Sequence, residues 1–284
     1  MSTADSTTRI CLIGNPHKPD VPAAFERIRA WLAQRPVRLT AELDGEAALR
    51  LAEPHDLVIV LGGDGTILRI AGLLGERQAP ICGVNMGKLG YLAEYSVDDL
   101  HRHFDRIVGD ARLVSHRMML DVETQAPGAA AQRRIACNDC VIQAGPPYRM
   151  IEMSLRLDGD EVTRLTGDGL ILATPTGSTA HNLSSGGPIL QPDVQATIVT
   201  PICPHSLTLR PVVVGPDAVV EVVALRSNEG TAAVIDGQLS TPFPTGARIV
   251  ARRSATTFKL IRHPDLPAWK TLIRKLSWGH GPTR

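Results

Sequence analysis

Residues 57–71 read LVIVLGGDGTILRIA, and this stretch decides the fold of the first half of the chain. Its five opening apolar residues are typical of a strand that is buried on both faces of a parallel sheet. After the glycines, apolar residues recur at helical spacing, at Ile67, Ile70, Ala71 and Leu74. The pattern predicts a strand, a tight turn and a helix, whereas an Asp-Gly hairpin would need a second alternating strand.

The glycine-rich turn of this stretch, Gly62, Gly63, Asp64, Gly65 and Thr66, also indicates chemistry. A turn of this kind that opens a helix presents backbone N–H groups and the positive end of the helix dipole, which together bind phosphate oxygens. Asp64 would repel a phosphate unless it bound a metal or accepted a proton from the group being phosphorylated. The turn therefore favours phosphoryl transfer, with a plain structural turn as the alternative.

The length, charge balance and composition of the chain exclude several classes of protein. The 284 residues predict about two domains, and 30 Lys and Arg against 29 Asp and Glu leave no overall field that would attract nucleic acid or a membrane. No stretch approaches the ~20 apolar residues of a membrane span, and no basic-then-apolar leader is seen at the start. With 5 scattered cysteines, we expect free thiols and a cytoplasmic location.

Strands alternate with helices in residues 1–110, which predicts a Rossmann-like parallel α/β domain with its ligand crevice at the carboxyl ends of the strands. Asp64 falls at such an end. Asp20 is placed to cap the first helix, and Ser96 with Asp99 forms a capping-box pattern. The helix after Ser96 is predicted to bury Leu100, Phe104, Ile107 and Val108.

From about Leu113 the pattern changes to alternation, which predicts an antiparallel β domain over residues 111–255. In residues 151–157 the alternation places Ile151, Met153, Leu155 and Leu157 inward and Glu152, Ser154 and Arg156 outward. Asp158-Gly159 predicts a hairpin turn after this strand. Residues 256–284 end in a helical pattern that we expect to pack back on the first domain.

Residues 167–190 read GDGLILATPTGSTAHNLSSGGPIL. A buried strand breaks here into small hydroxyl residues and glycines, which are too polar for a core and too short for a solvated charged surface. Such a run can line a site that hydrogen-bonds sugar hydroxyls and amides, although turns alone would explain part of it.

Six segments carry a family resemblance: GGDGT (62–66), GVNMGKLGYL (83–92), the Asn-Asp pair of CNDCVI (137–142), residues 167–190, TPICPHSLTLRPVVV (200–214) and DGQ (236–238). Together they resemble the NAD kinase family over nearly the whole chain. GGDGT alone also resembles diacylglycerol and sphingosine kinases and phosphofructokinases, but residues 167–190 and the PHSL sequence within residues 200–214 are more specific. A lipid kinase of this wider group would show Gly-Thr-Gly-Asn soon after the first motif.

The resemblance implies that the γ-phosphoryl group of ATP, or of polyphosphate, is transferred to the 2′-hydroxyl of the adenosine ribose of NAD to give NADP. Asp64 would be the general base. Because an aspartate carboxyl in a model peptide has a pKa of about 3.9, such a base would orient the hydroxyl and take its proton only as transfer proceeds, while Mg²⁺ is held by the phosphates. The resemblance also implies a β-sandwich for the second domain and a homodimer or homotetramer. The amides of Gly62, Gly63, Gly65 and Thr66 would contact the phosphates.

For the NAD site, the resemblance implies contacts from Asn138, Asp139, Asp168, Thr179, Ala180, His181, Asn182, Leu183 and Ser184. Arg149 is a candidate for the pyrophosphate or an ordinary surface residue, and Gln238 either binds ligand or follows a hairpin turn at Asp236-Gly237. His181 stands where the family usually has Tyr, and an imidazole is smaller and can carry charge at mildly acidic pH. Nucleotide affinity and its pH dependence are therefore expected to differ.

Metal binding by the protein is not expected. His101 and His103 are two residues apart on a helix and point to different faces, so they would not share a metal. Cys137 and Cys140 are three residues apart on a predicted strand and face opposite sides, so they are poorly placed to share a disulfide or a zinc ion. Two alternatives to the NAD kinase hypothesis remain. A lipid or sugar kinase of the same superfamily disagrees with residues 167–190, and a dinucleotide-binding regulator without activity would not need the intact Asp64.

Overall fold

The computed structural model describes residues 7–43, 54–87 and 90–276. The chain divides into two compact units, residues 1–116 with 259–284, and residues 117–258. The domain limits expected from the sequence, at 110 and 255, stay a prediction. In the glycine-rich stretch 83–92, Lys88 and Leu89 lie outside the described residues.

The first unit is a parallel sheet with helices. The elements are β1 (Thr8–Gly14), α1 (Val21–Leu32), β2 (Val37–Glu42), β3 (Leu57–Leu61), α2 (Asp64–Leu74), β4 (Ile81–Val84) and α3 (Val97–Gly109), with α5 (Ala268–Leu276) from the end of the chain. The strands pair in the order β2-β1-β3-β4, and Leu260, near the end of a long later strand, pairs in parallel with Ile81 of β4.

The decisive stretch folds as the sequence predicts. All five residues of β3 are buried, and α2 buries Ile67, Ile70, Ala71 and Leu74. The capping box is also confirmed, because the Ser96 hydroxyl accepts the N–H of Asp99 and the Asp99 carboxylate accepts the N–H of Ser96. β3 therefore delivers Asp64 to the carboxyl edge of a parallel sheet.

Two helix details were predicted wrongly. Asp20 occupies the N-cap position of α1, but its side chain accepts no hydrogen bond there. Val108 is 38 % exposed, whereas His103 is buried on the inner face of α3 one turn before Ile107. Because Val108 follows Ile107 directly, it lies about 100° around the helix from the buried face.

Two antiparallel sheets build the second unit. The strands are β5 (Val114–Gln125), β6 (Gln132–Ala136), β7 (Asp139–Gln143), β8 (Ile151–Leu157), β9 (Asp160–Gly167), β10 (Gly169–Ala173), β11 (Thr197–Ile202), β12 (Val212–Val214), β13 (Val220–Arg226), β14 (Ala232–Ile235), β15 (Leu239–Pro242) and β16 (Arg248–Ile261). The first sheet has six strands in the order β12-β11-β10-β7-β14-β15. The second contains β16-β13-β8-β9, with β5 paired to β16 and β6 paired to β5.

Both sheets share one core, so this unit is a β-sandwich. Ile142, Leu170 and Val199 from the six-stranded sheet belong to the same buried cluster as Met153 and Ile249 from the other sheet. The predicted hairpin is confirmed, because Asp158 and Gly159 both have positive φ between β8 and β9, as a type I′ turn requires.

Ser154 corrects the predicted alternation in β8. It is 3 % exposed rather than outward-facing, and its hydroxyl donates to Oε2 of Glu161 at 3.0 Å. A small hydroxyl can be buried in this way because a single partner satisfies it. Among the described residues, no helix is long and apolar enough to cross a membrane.

Candidate active site

Asp64 is the first residue of α2, and three backbone amides hold its carboxylate. Tyr91 donates its N–H to Oδ2 at 2.9 Å, while Leu92 and Ala93 donate to Oδ1 at 2.9 and 3.1 Å. Each carboxylate oxygen can accept about two hydrogen bonds. Oδ1 is therefore filled, and Oδ2 retains one lone pair for a ligand.

Gly90 makes this arrangement possible. A Cβ atom at this position would lie 2.1 Å from Oδ1 of Asp64, so only glycine allows the close approach. The segment after it is fixed to β4, because Tyr95 donates its N–H to Gly83 and Asn85 donates its own to Tyr95. The Asn85 side chain donates a further hydrogen bond to the Tyr95 carbonyl at 2.8 Å. The segment that donates to Asp64 is therefore hydrogen-bonded to the carboxyl edge of the sheet.

The glycine turn offers fewer amides to phosphate than the sequence suggests. Gly62 donates its N–H to the carbonyl of Val84, and Thr66 donates to that of Gly63. Gly62 is required for another reason, since a Cβ there would lie 2.7 Å from Oγ1 of Thr66. The N–H groups at the start of α2, those of Gly63 and Asp64, are the better placed donors.

Lys18 was missed by the sequence reasoning. Its Nζ lies 3.1 Å from where a Cβ on Gly63 would be, so an ammonium group rests against the start of α2. Lys18 follows β1, which pairs in parallel with β3, and the loops after these two strands meet at the same edge. A Lys after the first strand of a parallel sheet is the only signal that could have indicated this placement.

A pocket of about 400 Å³ lies in the second unit. It extends along β7 from Asp139, which pairs with Ala173 of β10, to Gln143, which pairs with Gly169. Of the predicted NAD contacts, the structure brings Asn138, Asp139, Ala180 and His181 together here. The lining residues are Asn138, Asp139, Val141, Gln143, Ala180, His181, Val234, Asp236 and Gly237.

Asp236 anchors the Asn138-Asp139 pair. Its carboxylate accepts the backbone N–H groups of Cys137, Asn138 and Asp139 at 2.8, 2.7 and 3.0 Å. Asp236 and Gly237 also form the β14–β15 turn with positive φ, so the hairpin alternative is confirmed for these two residues. No local sequence pattern indicates this anchoring role, because the bonded residues are 97 to 99 positions apart.

Two polar atoms near this anchor are buried without a hydrogen-bond partner, Oδ1 of Asn138 and Oγ1 of Thr176. Buried polar groups are normally satisfied, so these two suit a bound ligand. Thr176 was not among the predicted contacts. Its loop packs tightly on the pair, since a Cβ on Gly177 would lie 2.2 Å from the Asn138 carbonyl oxygen.

Asp139 is 4 % exposed. Burial, together with the nearby charge of Asp236, raises the pKa of Asp139 to about 7. Burial also raises the pKa of Asp236, but its three backbone N–H donors act in the opposite direction. We therefore assign the negative charge to Asp236 and the proton to Asp139 near neutral pH.

This assignment predicts a pH-dependent stability. A carboxyl group with a raised pKa in the folded state stabilises the protein at low pH, and that stabilisation is lost as pH rises from about 4 through about 7. Asp139→Asn mimics the protonated form. Its Tm should therefore exceed that of the wild type by an amount that grows between pH 5 and pH 8, as thermal melts can measure.

An exposed carboxylate provides the control for that comparison. Asp168→Asn removes the same charge from the same unit at an exposed position, so it reports what the loss of a surface charge alone does to the Tm. A Tm difference for Asp139→Asn that stays constant with pH would show that Asp139 titrates normally.

The ATP-NAD kinase N-terminal domain model matches residues 46–111, and the ATP-NAD kinase C-terminal domain model matches residues 137–263. The chain belongs to the NAD kinase family. It is 38 % identical over 271 residues to an NAD kinase of Rhodopirellula baltica, covering 95 % of this chain and 86 % of that one. It is 36 % identical over 282 residues to an NAD kinase of Geotalea daltonii, with 95 % and 99 % covered.

Solved structures agree with this assignment. An NAD kinase from Archaeoglobus fulgidus in complex with ATP has a TM-score of 0.75 at 27 % identity, covering 95 % of this chain and 99 % of that one. The yeast NADH kinase complexed with NADH has a TM-score of 0.86 at 24 % identity, covering 98 % and 89 %, and shows the shared fold. The protein is therefore a kinase with a two-domain α/β and β-sandwich architecture.

Asn182 does not fit the role that the family resemblance implied. It is fully buried, its Nδ2 donates to the carbonyls of Ser178 and Pro188, and its Oδ1 accepts from Thr200. A Cβ on Gly187 would lie 1.9 Å from that oxygen. Because every polar atom is already used within the protein, Asn182 holds the loop and is left out of the proposed contacts.

Arg149 and Asp168 do not line the pocket, and both side chains are exposed. The pocket extends along β7 from Asp139 to Gln143, and Gln143 pairs with Gly169, the residue after Asp168. The backbone N–H of Ala144 donates to the Asp168 carbonyl at 2.8 Å, so Asp168 adjoins that end of β7. Contact of Arg149 and Asp168 with NAD stays a prediction.

The remaining predicted contacts surround the pocket without lining it. Gln238 is exposed just after the Asp236-Gly237 turn, and the hydroxyl of Thr179 donates to the carbonyl of Thr176 at 3.5 Å. Leu183 is half-buried and Ser184 is exposed on α4 (His181–Ser184). These positions stay predictions for NAD contact.

One histidine cluster of the first unit resembles a metal site. Ligand atoms of Asp99, His103 and His263 all lie within 4.8 Å of one another. However, Nδ1 of His263 accepts the N–H of Asp265 at 3.1 Å, so its Nε2 carries the proton. A metal on Nε2 would force that proton onto Nδ1, against the donor N–H. Among the described residues, the Asp99, His103 and His263 cluster therefore does not suit a metal ion. The expected absence of a protein-bound metal stays a prediction.

Proposed function

We propose that the protein transfers the γ-phosphoryl group of ATP to the 2′-hydroxyl of the adenosine ribose of NAD and so forms NADP. The observation that carries this proposal is the Asp64 carboxylate, held by three amides with one lone pair of Oδ2 left over. An acceptor hydroxyl can donate its hydrogen bond to that lone pair. Membership of the NAD kinase family, and the ATP bound in the related Archaeoglobus fulgidus structure, support the choice of ATP and NAD.

The chemistry follows from this geometry. Asp64 orients the hydroxyl, whose oxygen forms a bond to the γ-phosphorus while the bond from that phosphorus to the bridging oxygen of ADP breaks. The hydroxyl proton passes to Oδ2 as the new bond forms, since a carboxylate is too weak a base to remove it earlier. The start of α2 and the Lys18 ammonium group stabilise phosphate oxygens.

Mg²⁺ would neutralise the triphosphate when bound. Asp64 is the acidic side chain at this turn, and Oδ1 is already filled by two backbone amides. This agrees with a cation held through the phosphates rather than by a cluster of protein carboxylates.

An acceptor panel tests the proposal. Purified protein with ATP and Mg²⁺ is given NAD, NADH, a diacylglycerol or a sugar, and the products are separated by chromatography. We expect NADP from NAD. Phosphorylation of the lipid or sugar alone would favour the related kinases, and NAD binding without any product, with ATP or with polyphosphate, would favour the regulator.

His181 is proposed to contact the dinucleotide, because it lines the pocket beside Asn138 and Asp139 and is exposed. His181→Tyr should lower KM for NAD by about 3- to 10-fold, as expected for one larger aromatic contact. kcat should change less, since the ring does not touch the reacting atoms. Steady-state kinetics measure both values.

The matched control is His116→Tyr, an exposed histidine on β5. Its KM for NAD should equal that of the wild type. Equal KM values for His181→Tyr and the wild type would show that the side chain does not reach the ligand.

The assembly and location are also proposals. A homodimer or homotetramer is expected from the family resemblance, and the cytoplasm from the free cysteines at 11, 82, 137, 140 and 203. Light scattering after size exclusion tests the assembly, and a monomer at micromolar concentration would contradict it.

A further inference from the structure

The hydroxyl of Tyr91 makes no hydrogen bond within the protein. Its oxygen is buried and has no hydrogen-bond partner, although the residue lies in the segment that holds Asp64. Its own backbone N–H donates to Oδ2 of Asp64 at 2.9 Å. A buried hydroxyl without a hydrogen-bond partner is unfavourable, so this oxygen lowers the stability of the protein without ligand.

Tyr95 shows that the same segment can satisfy a buried phenol. It is fully buried, and its hydroxyl donates to the carbonyl of Arg262 at 2.8 Å. The two tyrosines are four residues apart in the same unit, so they form an internal comparison. Only the Tyr91 hydroxyl lacks a protein acceptor, and it belongs to the residue that contacts the proposed base.

The surroundings of Tyr91 suit a donor to an anion. Burial raises the pKa of the Tyr91 phenol, and the charge of Asp64 raises it further, so the group keeps its proton. Nζ of Lys275 lies 5.8 Å from the ring centroid and adds positive charge on this side. With the start of α2 and Lys18, the region is a place where phosphate oxygens are stabilised.

We infer that the Tyr91 hydroxyl donates a hydrogen bond to a phosphate oxygen of the nucleotide bound at Asp64. This inference rests on the proposed function for its ligand. The phosphate belongs either to ATP or to the pyrophosphate of NAD, and both present the same anionic acceptor. Tyr91 is then a binding residue whose hydroxyl is satisfied only in the complex.

The test is Tyr91→Phe, which removes a single oxygen. We expect kcat/KM for NADP formation to fall about 10-fold or more, the usual effect of losing a hydrogen bond to a charged group. The Tm of the protein without ligand should stay the same or rise, because an unpaired buried hydroxyl is removed. A rise in KM for ATP alone assigns the contact to ATP, and a rise for NAD alone assigns it to the pyrophosphate.

Tyr95→Phe is the matched control. It should lower the Tm, since the Arg262 carbonyl loses its donor, while kcat/KM remains close to that of the wild type. Unchanged kcat/KM in Tyr91→Phe would overturn the inference, and so would a lowered Tm with unchanged binding of both substrates. The proposed function is judged separately, because only the wild type's failure to form NADP would remove it.

Discussion

Replacing Asp64 with asparagine is expected to lower kcat for NADP formation by about 10²- to 10⁴-fold, the usual contribution of a general base. The amide keeps the size of the side chain but cannot accept the ribose proton. One half of the carboxylate accepts two amides and the other accepts the N–H of Tyr91, so Nδ2 of asparagine would also face a donor. Stopped-flow or steady-state kinetics measure the loss.

NAD binding should survive this change. Isothermal titration should give a Kd within a few-fold of that of the wild type, because the pocket residues are unaltered. Asp98→Asn makes the same chemical change at an exposed position of α3 and should leave kcat unchanged. Wild-type turnover by Asp64→Asn would remove this residue from the role of base.

The second large effect is expected for Gly90→Ala. The added methyl would lie 2.1 Å from Oδ1 of Asp64, so either the carboxylate or the amide segment has to move. A displacement of about 1 Å at a reacting group can cost about 10²-fold in rate, and we expect kcat to fall by at least that factor. Gly90 does not have a positive φ, so backbone strain adds nothing to this effect.

Gly72→Ala is the control for this prediction. A Cβ on Gly72 meets no atom within 4 Å, and alanine is the better helix former in α2. This variant should keep the wild-type kcat and melt at the same or a higher temperature. Equal kcat values for Gly90→Ala and the wild type would show that the contact with Asp64 is not needed for catalysis.

The local parts of the fold could be predicted from the sequence. β3, the turn and α2 follow from periodicity within residues 57–74, and the Asp158-Gly159 hairpin follows from residues that tolerate positive φ. The capping box at Ser96 is equally local. The predicted exposure of Ser154 and burial of Val108 were wrong. Each residue lies next to the buried face of its element, and whether it is covered depends on neighbours from other elements.

The contacts that build the site are long-range, and no local pattern reveals them. Asp64 meets its amide donors 27 to 29 residues away. Asn182 is a polar residue in a polar loop and so looked like a ligand contact, but its burial could not be read from the sequence.

Labelling of the transferred phosphate follows the phosphoryl group itself. ATP labelled in its γ-phosphate is incubated with NAD, Mg²⁺ and the wild-type protein, and the position of the label in the product is determined. We predict one labelled NADP for each ADP formed, with the phosphate on the 2′-oxygen of the adenosine ribose. Release of labelled inorganic phosphate without labelled NADP, or label at another position of the dinucleotide, would contradict the account.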